Sequence, residues 1–101
     1  MKRIKIIEKL INKAEETGYA SLSRNGTKVY EVEVTPNGFY KLKHYGTETL
    51  YYDKLTRHLI HYYGESVSDR DSMNTFLSYL GEHRYYFRYG PVMGFVMEEV
   101  K

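Results

Sequence analysis

The run Thr35-Pro36-Asn37-Gly38-Phe39 admits one tight chain reversal, and that reversal sets the register of the strands around it. Pro36 presets φ for the first central position of a type I turn, Asn37 follows, and Gly38 supplies the left-handed residue that closes a three-residue hairpin loop. With that loop, Thr35 pairs with Phe39. Glu33 then faces Lys41 and Glu31 faces Lys43, while Val34 meets Tyr40 and Val32 meets Leu42 on the other side. One assumption yields opposite charges on one face and apolar pairs on the other, each pair contributing about 0.2–1 kcal/mol. A slip of one residue would turn every side chain to the wrong face.

The flanking sequence extends this hairpin into a sheet. Residues 19–24 and 27–34 surround Asn25-Gly26, the pair best suited to a type I′ turn, where both central residues need φ > 0. Alternation places Tyr30, Val32 and Val34 on one face and Val29, Glu31 and Glu33 on the other. "YYDKLTRHLIHYYG", residues 51–64, reads two ways. As a helix it has a stripe of Leu55, His58, Leu59 and Tyr62. As a hairpin it has strands "TETLYY" and "RHLIHYY" about a "DKLT" turn capped by Asp53. Its aromatic and β-branched content favours strands, giving an antiparallel meander of four or five strands.

Two segments change period. Over residues 2–17, Ile4, Ile7, Leu10, Ile11 and Ala14 recur at helical spacing, with Lys5, Glu8, Lys9 and Glu16 largely opposite and Gly18 as the stop. The basic amphipathic character also suits a membrane surface, but few large side chains lie on the stripe, so packing on its own domain is the expectation. Near residues 69–80, Met73, Phe76, Leu77 and Leu80 form a second stripe. Ser68 is its expected N-cap, Asp69 and Asp71 lie in its first turn, and Gly81 ends it. The last segment reads as two strands about a Gly90-Pro91 turn, which would set Phe87 near Gly94. The expected fold is a single α+β domain of 101 residues, an antiparallel sheet of hairpins with two helices on one face.

Chemistry-bearing patterns are few. There is no cysteine, which suits folding by packing alone in a reducing compartment. No apolar run has the length of a signal peptide or membrane span, so the expected setting is the cytoplasm, with no membrane partner. His58 and His61, three apart, would point to opposite faces of a regular strand and share no ion, whereas on a helix they could share one. Ser66, Ser68 and Ser72 cluster at a helix start, where serine caps. No glycine loop cradles phosphate. The expectation is a protein that is not an enzyme and holds no cofactor or metal. A net charge of +2, with 15 basic and 13 acidic residues interspersed, is too weak for a dedicated duplex-DNA binder.

What stands out is the excess of tyrosine, 12 residues, beside arginine. In "HRYYFRY", Arg84, Tyr86 and Arg88 share one strand face, and Tyr85, Phe87 and Tyr89 share the core-facing one. With Lys41 and Lys43, the first set could stack and neutralise single-stranded nucleic acid. Tyrosine and arginine equally dominate protein–protein contacts, and composition does not separate the two. A homodimer on an exposed strand edge is a third possibility.

Residues 39–81 resemble small, largely uncharacterised proteins of phages and their bacterial hosts. The shared pattern is an aromatic-Gly-Thr strand end, an aspartate turn, and a G-x-S-x-S-D link into an amphipathic helix. Here those positions are Tyr45, Gly46, Thr47, Asp53, Gly64, Ser66, Ser68 and Asp69. The resemblance implies a mobile-element setting, in which small single-domain proteins often block host defences, anti-CRISPR proteins among them. On that analogy the partner would be a host protein such as a CRISPR effector nuclease, a nucleoprotein complex, inhibited by occlusion of its surface. The same resemblance implies strand over residues 57–63.

Overall fold

The computed structural model describes residues 3–89 and 95–99. In chain order they form α1 (Arg3–Thr17), β1 (Tyr19–Arg24), β2 (Thr27–Val34), β3 (Phe39–His44), β4 (Thr47–Asp53), β5 (His58–Tyr62), α2 (Val67–Tyr79), β6 (Tyr85–Tyr89) and β7 (Phe95–Glu99). The first five strands make an antiparallel meander in sequential order, and β6 and β7 form a separate two-stranded ribbon. The fold is α+β.

The β2–β3 hairpin has the register that its loop chemistry dictates. Glu31 pairs with Lys43, Val32 with Leu42, Glu33 with Lys41 and Val34 with Tyr40. The Thr35 amide donates to the Phe39 carbonyl at 3.0 Å, and Gly38 has φ 87°. At the β1–β2 turn, Asn25 and Gly26 both have positive φ, 51° and 79°. Residues 58–62 are strand rather than helix, and the Asp53 carboxylate accepts from the Leu55 and Thr56 amides at the preceding turn.

Three bulges break the simple alternation. Leu22 pairs with Tyr30 but Ser23 with Lys28, so Val29 is the extra residue and is buried, not placed on the outer face with Glu31 and Glu33. Thr49 is extra on β4, where its hydroxyl donates to the Leu42 carbonyl at 3.3 Å. Ile60 is extra on β5, so His58 and His61 pair with Asp53 and Tyr51, which share a face. Strict alternation had sent that histidine pair to opposite faces; the bulge inserts one residue and restores them to one.

Both helices and β6 contribute to a single core on the inner face of the meander. Ile7, Leu10, Ile11 and Ala14 of α1 and Met73, Phe76 and Leu77 of α2 are buried against Val32, Tyr40, Leu42, Leu50 and Tyr52, with Phe87 of β6 in the same cluster. Full burial of each such large side chain stabilises by about 1.5–3 kcal/mol. Ile4 leaves the α1 stripe and is 53% exposed. Gly18, at φ 92°, ends α1, and its amide donates to the Ala14 carbonyl at 2.7 Å.

Helix α2 begins two residues earlier than its expected cap. Ser66, not Ser68, is the N-cap: its hydroxyl accepts from the Asp69 amide at 3.0 Å, and the Asp69 carboxylate accepts from the Ser66 amide. This reciprocal capping box satisfies two otherwise orphaned donors. In the final ribbon Phe87 pairs with Met97, not Gly94, and Tyr89 with Phe95. The expected Gly90-Pro91 turn lies outside the described residues.

Candidate functional site

The five residues expected to form one contact patch do not converge. Lys41 and Lys43 lie on β3, on the face of the meander turned away from the helices. There they meet carboxylates. Lys41 Nζ is 3.4 Å from Glu48 and lies over the Tyr51 ring at 5.2 Å, while Lys43 pairs across the strands with Glu31 and Glu48. This face is a lattice of matched charges rather than a basic stripe. Tyr86 and Arg88 belong to the other sheet. Arg84 precedes β6 instead of lying within it, and its side chain turns back to Glu82. Tyr86 and Arg88 are exposed.

Arg84 is held by a buried carboxylate that the sequence did not advertise. Glu82 follows the Gly81 helix stop and is only 1% exposed. It accepts from the Tyr52 hydroxyl at 2.7 Å, from Arg57 Nε at 3.3 Å, from Arg84 Nε at 3.0 Å and from the Arg84 amide at 3.0 Å. Arg84 also donates to the Arg57 carbonyl. Burial alone would raise the carboxyl's pKa, but hydrogen bonds from Arg84, Tyr52 and Arg57 overcome it and hold the group at about 2. Burial, followed by donation to Glu82, pushes the Tyr52 hydroxyl up to about 12. The cluster joins β4, the β4–β5 turn and the segment after α2.

A second polar link sits at the other end of α2. The Nδ1 of His44, at the end of β3, lies 2.5 Å from Asp69 Oδ1, and Asp69 Oδ2 accepts from the Glu65 amide at 2.9 Å. His44 is 8% exposed, and its ring is stacked on Tyr30 at 4.5 Å and tilted against Tyr45 at 4.7 Å. Asp69 is lowered in pKa: burial opposes the shift, and the Glu65 amide and His44 outweigh it. No signal local to Asp69 pointed to His44, which is 25 residues distant.

Two of the exposed tyrosines, Tyr79 and Tyr86, line a groove. It runs between α1, α2 and β6, has a volume of about 640 Å³, and is lined by Ile4, Glu8, Ser78, Tyr79, His83 and Tyr86 among others. Ile4, Tyr79 and Tyr86 are 53%, 40% and 50% exposed. The groove's walls are fixed from behind. The Tyr79 hydroxyl donates to Asn12 of α1 at 2.7 Å, and the Asn74 amide bridges α2 to β6 by donating to the Phe87 carbonyl at 3.0 Å and accepting from its amide at 2.9 Å.

Among the described residues, no three His, Cys, Asp or Glu side chains come together as a metal-binding group, and no helix is long and apolar enough to cross a membrane. No protein-family model, curated protein or solved structure matches the chain.

Proposed function

We propose that this chain is a non-catalytic binding protein of a phage or related mobile element that acts in the host cytoplasm by occluding a surface of a host protein. A defence nuclease such as a CRISPR effector is the specific candidate that the resemblance over residues 39–81 suggests. The observation that supports a protein partner is the tyrosine-lined groove, where Ile4, Tyr79 and Tyr86 expose apolar rings and a branched chain beside hydrogen-bonding groups. Such amphipathic side chains in a preshaped depression are typical anchors of protein interfaces. The pairing of Lys41 with Glu48 and of Arg84 with Glu82 weighs against single-stranded nucleic acid as the ligand, because a backbone-tracking groove needs unmatched cations.

The test is affinity capture from lysates of defence-carrying host strains, using the full chain and a folded Tyr79→Ala/Tyr86→Ala variant. The expected result is a stoichiometric protein partner for the parent and about tenfold or weaker binding for the variant, since central aromatic anchors cost above 1.4 kcal/mol on truncation. No stoichiometric partner in any such strain, or salt-sensitive retention of oligonucleotides in place of protein, would defeat the proposal.

A further inference from the structure

The strand β1, the β3–β4 turn and the first turn of α2 enclose a crevice of about 270 Å³, lined by Ile6, Leu22, Arg24, Tyr30, His44, Tyr45 and Ser68 among others. At about 30 Å³ of liquid volume per water, it has room for a small polyatomic ligand with its water.

His44 is the chemically distinctive group in this wall. Its Nδ1 is taken by the Asp69 carboxylate, so that nitrogen carries the proton. The carboxylate faces away from the crevice functionally: one oxygen holds His44 and the other accepts from the Glu65 and Ser66 amides. The opposite ring nitrogen, Nε2, has no hydrogen-bond partner among the described residues. No buried side-chain nitrogen or oxygen among the described residues is left unpaired, so Nε2 reaches solvent, and His44 is a lining residue of the crevice. The ring is oriented by its stack on Tyr30, its contact with Tyr45 and its bond to Asp69. Across the same crevice stands Arg24, which makes no ion pair with any described residue. Ahead of α2, the Glu65 and Ser66 amides are taken by the Asp69 carboxylate, and the Asp69 amide donates to the Ser66 hydroxyl.

We infer that this crevice is a binding site for a single phosphate group, held between His44 Nε2 and the Arg24 guanidinium. The match is chemical. Arg24 offers a planar fork of donors, the geometry that suits phosphate oxygens. Nε2 accepts when the ring is neutral and donates when it is charged. A phosphate whose second ionisation lies near neutrality carries both a hydroxyl and bare oxygens, so it satisfies either state. A sulfate or a carboxylate cannot offer the hydroxyl. The site goes beyond the occlusion reading, which needs no ligand here.

The experiment follows the His44 ring nitrogens by heteronuclear NMR while inorganic phosphate is added to the full chain, against chloride at matched ionic strength. Two further arms use an oligonucleotide with a terminal 5′-phosphate and the same strand without it. A saturable Nε2 response to phosphate but not chloride is expected, about tenfold weaker in Arg24→Ala, whose side chain lies outside the core. A matching response to the 5′-phosphorylated strand alone would identify the source as a nucleic-acid end; a response to the free ion alone would identify it as inorganic phosphate. A non-saturating response, a response equal to that of chloride, or an undiminished response in Arg24→Ala would overturn the inference.

Discussion

Replacing Glu82 with glutamine removes one charge from the buried cluster and keeps its shape. In the native protein the carboxyl sits at about 2, against an ordinary value of 4.5. The folded state therefore binds its proton more weakly than the unfolded chain does. Stability from this group is fully present above about pH 4.5 and is lost as pH falls through about 2. A drop of that size corresponds to about 3 kcal/mol at neutral pH. The carboxylate is fully enclosed, but Arg57 and Arg84 are 56% and 40% exposed, so solvent screens their side of the pairs and the figure is an upper bound. A domain of this size has only about 5–10 kcal/mol in total.

Urea denaturation of parent and Glu82→Gln at pH 7 and at pH 3 isolates the charge from the hydrogen bonds. Glutamine also changes the donor and acceptor pattern toward Tyr52, but that part does not titrate. At pH 7 the variant should be less stable by about 2–3 kcal/mol. At pH 3 the parent's carboxyl is still ionised when folded and already protonated when unfolded, and the deficit should shrink to about half. The difference between the two pH values is the decisive quantity. A deficit of the same size at both, or one below about 0.5 kcal/mol at pH 7, would refute the assignment of Glu82 as a charged anchor.

Two other perturbations probe the frame that holds the groove. Gly38→Ala should cost about 1–2 kcal/mol by urea denaturation, because φ 87° is a left-handed conformation that a Cβ penalises; the new methyl also meets Leu55 Cγ at 3.0 Å, although that exposed side chain can shift. Asn74→Ala removes both bonds to the Phe87 backbone and should cost about 1–3 kcal/mol, with faster hydrogen exchange at the Phe87 amide and little change at Val32 or Leu42.

The parts of the fold that were legible in the sequence are those fixed by neighbours. Pro36-Asn37-Gly38 imposes its turn within three residues, and the cross-strand pairs follow from counting outward. The N-cap shows where local chemistry stops being sufficient. Ser66 with Asp69 and Ser68 with Asp71 are both a serine followed three residues on by an aspartate, so the sequence contains two overlapping caps. The choice falls to Ser66 because His44, on a distant strand, takes the free side of Asp69. The bulges at Val29, Thr49 and Ile60 were hidden for a related reason: each inserts one residue between stretches that still alternate, and only the partner strand reveals it. The expected place of Arg84 on a strand face assumed a solvent-facing guanidinium, whereas it precedes β6 and turns to Glu82. Its nearest acceptor was two residues back, in a glutamate that becomes buried only when Tyr52 and Arg57 close over it.

These two polar clusters have a consequence for recognition. Helix α2 has 13 residues and is about 20 Å long. Asp69 ties its first turn to β3 through His44, and Glu82, just past its last turn, ties it to β4 and the β4–β5 turn. Apolar packing under Met73, Phe76 and Leu77 would by itself tolerate small rotations of the helix about its axis. Directional bonds at both ends remove that freedom. Tyr79 at one wall of the groove, and Tyr86 at the other through Asn74 and β6, are therefore held in place before any partner arrives. Binding of the proposed partner would then cost less ordering entropy, which is the way a domain this small can present a firm surface. It follows that loosening either cluster should weaken partner binding without touching a single contact residue, and that the loss should track the cluster's own stability and not the chemistry of the groove.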